Sequence, residues 1–138
     1  MTNPNHDLAS HPHLVSAHAI MALLANDTLS TEQRTELTQA ATQLLTAFYQ
    51  QTQDELAYLL AKYQLMLIKK DDAAVEITGW RLYELTEDAN HILQMIDYYE
   101  FIQGKHHAAI TVAEQLQDFA FSEADRKTAT KKLAQLLA

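Results

Sequence analysis

Histidine is the residue type that most invites a chemical reading here, with seven copies among 138 residues. Neutral imidazole is a common metal ligand, and zinc requires three or four His, Cys or carboxylate ligands at fixed positions. His6, His11, His13 and His18 cluster toward the N-terminus, and His11 and His18 stand seven apart, on one face of a helix. No His-x-x-x-His pair occurs on any predicted helix, and the adjacent rings of His106 and His107 diverge. A metal-binding helical bundle using His11, His13, His18 or His91 with nearby carboxylates is therefore the second reading of this chain.

Other chemistry finds less support. Asp88-x-x-His91 matches one of the Glu-x-x-His motifs of carboxylate di-iron bundles, with Asp in place of Glu and no second copy. Nucleophilic catalysis has no Gly-x-Ser-x-Gly motif, phosphate transfer has no glycine-rich loop, and there is no cysteine. The first reading is accordingly a non-catalytic protein with no cofactor, one that acts through its surface.

The elements that would position such a surface are helices. Two glycines and two prolines are too few for the turns of a sheet. The sequence predicts an all-α fold, a bundle of five or six helices in a single domain over 10–138, preceded by a flexible N-terminus at 1–9. Leu56–Ile68 is apolar on nearly every side, as a helix buried by several neighbours must be. Around it the apolar rhythm predicts two long antiparallel central helices, about 31–70 and 73–103. The first carries a second capping-box sequence, Thr52-Gln53-Asp54-Glu55, where it either bends or breaks. The second places Val75, Thr78, Leu82, Leu85, Ala89, Ile92, Ile96 and Tyr99 on heptad a and d positions. No internal repeat is apparent.

That heptad seam leaves Trp80, Tyr83, Tyr98 and Phe101 on the outer face of the 73–103 helix. Trp and Tyr are favoured anchors at interfaces, so these four are the candidate partner-binding residues. The stretch Tyr98–Ile110 resembles one tetratricopeptide-type helical hairpin, with Gly104 closing the first helix and Ala109-Ile110 on the second. His106 stands where that family has an aromatic residue, and its Trp-Leu-Gly signature is absent. The resemblance implies a scaffold that binds proteins or peptides.

Charge narrows the partner. The formal charge is −8, and residues 71–125 carry twelve acidic residues against Arg81 and Lys105. Such a chain is poorly suited to nucleic acid, whose affinity for proteins comes largely from Lys and Arg. Arg126, Lys127, Lys131 and Lys132 lie together in the last predicted helix, which the acidic body can attract. No apolar run reaches the ~18 residues of a membrane span, and the absence of cysteine fits the cytoplasm. The expected partner is a protein or peptide, with a homodimer plausible through the heptad seam.

Overall fold

The computed structural model describes residues 11–138. The expected flexible segment 1–9 and His6 lie outside the described residues. Those residues are helical and contain no strand: α1 (Pro12–Leu24), α2 (Thr31–Thr52), α3 (Glu55–Lys69), α4 (Asp72–Thr86), α5 (Asn90–Asp97), α6 (His106–Phe119) and α7 (Glu123–Leu137). A π-helical turn, Tyr98–Ile102, continues α5. The chain forms two compact units, the first ending at Ala74 and the second beginning at Val75.

In the first unit, α1 lies against α2 and α3, which also pack on each other. Leu14, Ala17, Met21 and Leu24 recur at three- and four-residue spacing and form the buried stripe of α1. Helix α2 opens on the full capping box foreseen at Ser30. Ser30 Oγ accepts from the Gln33 N–H at 3.1 Å, and the Gln33 side chain accepts from the Ser30 N–H at 2.8 Å. Arg34 then donates to the carbonyls of Leu24 and Asn26 at 3.0 and 2.8 Å, tying the end of α1 to the start of α2. Helix α3 is buried along Leu59, Tyr63 and Met66 and again along Ala61 and Leu65, but Leu56 and Leu60 are exposed, so it is not covered on every side as its apolarity suggested.

In the second unit, α6 packs on α5, on the π turn and on α7. Its core takes Ile92, Met95 and Ile96 from α5, Ala109, Val112, Ala113 and Leu116 from α6, and Ala129 from α7. Lys132 on α7 reaches Asp97 at 2.8 Å, an ion pair that joins the basic helix to the acidic body.

Both expected long helices are interrupted, and by the same device. At Gln53 the backbone turns left-handed (φ 57°) and its N–H closes on the Tyr49 carbonyl at 2.8 Å. Thr52 Oγ1 donates to the Phe48 carbonyl and accepts from the Asp54 N–H, and Asp54 caps α3 through the Ala57 N–H. At Glu87 the backbone again turns left-handed (φ 55°), with its N–H on the Tyr83 carbonyl at 2.7 Å. Thr86 donates to the Leu82 carbonyl and accepts from the Asp88 N–H, and Asp88 accepts from the Asn90 N–H. Each joint satisfies its own stray backbone groups, so an apolar rhythm running across it does not keep the helix whole.

These joints lie 34 residues apart, and so do other landmarks. Left-handed residues end the second helix of each pair at Lys70 (φ 62°) and Gly104 (φ 64°). Side-chain caps open the following helices at Asp54 and Ser122, two such periods apart, with Asp88 midway. Burial follows the same count: Ala41, Val75 and Ala109 are equivalent, as are Phe48, Leu82 and Leu116, and Ala61, Met95 and Ala129, all at most 2% exposed. Residues 37–138 thus carry landmarks that recur every 34 residues, a spacing also found in helical-repeat proteins. That recurrence, not apparent in the sequence, is visible in the backbone and in the pattern of burial.

Candidate interaction surface

The four outer-face aromatics separate once the helices are broken. Phe101 is the most exposed, at 78%, with Ile102 exposed beside it. Trp80 is half-buried, and Tyr83 and Tyr98 are buried. Tyr98 is turned inward by the π turn, where the Gln103 N–H bonds back to the Tyr98 carbonyl at 2.9 Å, and its hydroxyl accepts from the Gln103 side chain at 3.0 Å. A π turn advances the chain by an extra residue. Here it buries both Tyr98 and Tyr99 while exposing Phe101 and Ile102. At the same end His106 Nδ1 meets the Glu100 carboxylate at 2.7 Å, bracing the turn at Gly104.

Tyr83 organises the other end of the second unit. Its hydroxyl donates to Asp125 Oδ2 at 2.6 Å and accepts from the Phe121 N–H at 2.9 Å. Burial, the bond to Asp125, and repulsion by the Asp125 and Glu87 carboxylates push the hydroxyl up to about 12, against the opposing Phe121 N–H. The ring packs against Phe121 at 4.8 Å between centroids and lies 6.1 Å from Trp80. The loop joining α6 to α7 is thereby held in place from beneath. It carries two exposed rings, Phe119 at 67% and Phe121 at 51%.

The sequence reading missed Phe119 and Phe121 because they sit on a helix end and a loop, where helical periodicity assigns no face. Their signal was the near-repeat Phe-Ala-Phe followed by the Ser122 cap.

The histidines of the metal reading are placed as follows. His11 caps α1, its Nδ1 accepting from the His13 N–H at 3.1 Å, and its ring stands edge-on to Phe48 at 5.0 Å. Gln51 bridges the pair, 3.2 Å from His11 Nε2 and 3.2 Å from His13 Nε2. A ring accepting at Nδ1 carries its proton on Nε2 when neutral, and that Nε2–H donates to Gln51 Oε1. The Nε2 atom of His11 is thus protonated in the state that makes the cap. His18 is exposed on α1, and His91 is half-buried on α5 in the second unit. Among the described residues, no three His, Asp or Glu side chains converge as metal ligands.

One larger concavity borders α2 in the first unit, an open groove of about 700 Å³ lined by Leu24, Thr31, Thr35, Thr38, Thr42 and Ile68. Two of its threonines serve the helix itself: Thr35 and Thr42 donate to the carbonyls of Thr31 and Thr38. Comparison with protein-family models, with curated proteins and with solved structures gives no match. Among the described residues, no helix is long and apolar enough to cross a membrane.

Proposed function

We propose that this protein is a non-catalytic interaction module that binds a protein or peptide through helical-repeat surfaces. The observation that carries this reading is the 34-residue recurrence of helix pairs, with joints at Gln53 and Glu87 and closing residues at Lys70 and Gly104. Helix pairs of this period serve mainly to present surfaces, and the side chains at equivalent positions are buried and do not converge on a cleft. Phe101, Ile102, Phe119 and Phe121 supply exposed apolar anchors of the kind that dominate binding energy.

The test compares cross-linked capture from native-host lysate by the wild type and by a Phe101→Ser/Phe119→Ser/Phe121→Ser variant that keeps wild-type circular dichroism. A protein captured reproducibly by the wild type and lost with the variant supports the reading. Equal capture by both, or substrate turnover by the purified chain, overturns it.

A further inference from the structure

We propose that the α6–α7 loop, with Phe119 and Phe121, docks a basic amphipathic segment of another protein. This inference rests on the interaction reading above and adds the place and the chemistry of the partner. Three features of the second unit converge on it.

The first is exposed apolar area. Phe119 is two-thirds exposed, and Phe121 leaves half its surface to solvent while its other side packs on Tyr83. The second is preorganisation. The Tyr83 hydroxyl holds both the Phe121 N–H and the Asp125 carboxylate, and Ser122 caps α7 through the Asp125 N–H at 3.1 Å. A loop fixed before binding loses less entropy on binding.

The third is charge, which selects the occupant. The α4–α5 joint carries Glu84, Glu87 and Asp88, and the α6–α7 loop is flanked by Asp118, Glu123 and Asp125. Tyr83 links the two joints, since it bonds Asp125 and its hydroxyl feels the Glu87 carboxylate. Against these six acids stand Arg81, Arg126 and Lys127, and the two arginines are engaged by Glu84 and Glu123 at 3.2 Å each. An apolar anchor with an acidic rim complements Lys or Arg flanking a Leu or aromatic side chain, and it repels nucleic acid and anionic lipid. The Phe101 end lacks this one-sided charge, because Lys105, His106 and His107 accompany Glu100 there.

The single tryptophan, Trp80, lies beside the site and reports occupancy by its fluorescence. The full chain is titrated with a Lys/Leu amphipathic helical peptide and with its Glu/Leu counterpart. The Lys/Leu peptide binds and the Glu/Leu peptide does not. Phe119→Ser weakens binding at least tenfold, Asp118→Lys weakens it further as salt is lowered, and Val15→Ser, at an exposed position of α1 in the first unit, leaves it unchanged. Phe119 is two-thirds exposed, so its variant tests the site even where Phe121→Ser perturbs folding.

Equal binding of both peptides, or an undiminished affinity in Phe119→Ser, overturns the inference. Loss of binding only in Phe101→Ser overturns it too, while leaving the broader interaction reading in place. That reading fails separately, by the capture experiment.

Discussion

Removing one oxygen atom, by Tyr83→Phe, tests how the second unit holds its exposed loop. In the wild type that oxygen donates to Asp125 at 2.6 Å and accepts from the Phe121 N–H at 2.9 Å, on a residue only 1% exposed. A hydrogen bond to a charged group contributes roughly 1.5–3 kcal/mol, and a donor left without a partner costs about 1 kcal/mol. Asp125 is half-buried and regains some water, so the loss is expected near 2 kcal/mol. The raised hydroxyl pKa, whose largest cause is burial, sets the pH dependence of the difference and not its size at neutral pH. A rise from 10.0 to about 12 corresponds to at most about 2.7 kcal/mol favouring the neutral form.

The sign follows from the direction of the rise. The contribution is fully present below pH 10 and is lost as pH climbs from 10 to about 12. Denaturant unfolding of the wild type and Tyr83→Phe should therefore differ by about 2 kcal/mol at neutral pH. The gap should narrow across that alkaline window, with the difference between the two proteins cancelling the titration of other groups. A gap below about 0.5 kcal/mol at neutral pH, within the range of ordinary surface substitutions, would refute the clamp. So would a gap that stays constant through the window.

Other substitutions probe the remaining joints. Gln53→Gly and Glu87→Gly relieve left-handed backbone at φ 57° and 55° and should each stabilise by up to about 1 kcal/mol in denaturant unfolding. Ser30→Ala removes the side-chain acceptor of the capping box and should cost about 1 kcal/mol. His11→Ala should cost a similar amount and His11→Asn should recover most of it, because Asn caps a helix as well. Nitrogen-15 shifts of the His11 ring should show the proton on Nε2 at neutral pH.

Helix content was legible because the scarcity of glycine and proline leaves few other ways to satisfy the backbone. Most of the buried stripe was legible too: Val75, Leu82, Ile92, Ile96 and Tyr99 are inside, whereas Leu85, expected on the same seam, is exposed beside the break at Glu87. What the apolar rhythm concealed was the breaks. Thr52-Gln53-Asp54 reads as a cap at Thr52, yet the cap is Asp54 and Thr52 serves the preceding helix. At Thr86-Glu87-Asp88 the heptad pattern runs on across the joint, since residues on both sides face the same core. The period itself was obscured because equivalent positions differ in type, as Lys70 and Gly104 do while sharing one backbone conformation. Tyr98 was assigned outward because a heptad count cannot anticipate a π turn, and Phe119 and Phe121 escaped notice outside any helical register.

The two Thr–Asp joints have a kinetic meaning. Every hydrogen bond that closes them spans four residues or fewer, from Phe48 to Ala57 in one case and from Leu82 to Asn90 in the other. Closures that local form on the timescale of helix growth itself, far faster than contacts between distant segments. The bend points are thus written into short stretches of chain before tertiary packing begins. The slow search in the second unit falls instead to contacts such as that of Tyr83 with Phe121, 38 residues along the chain.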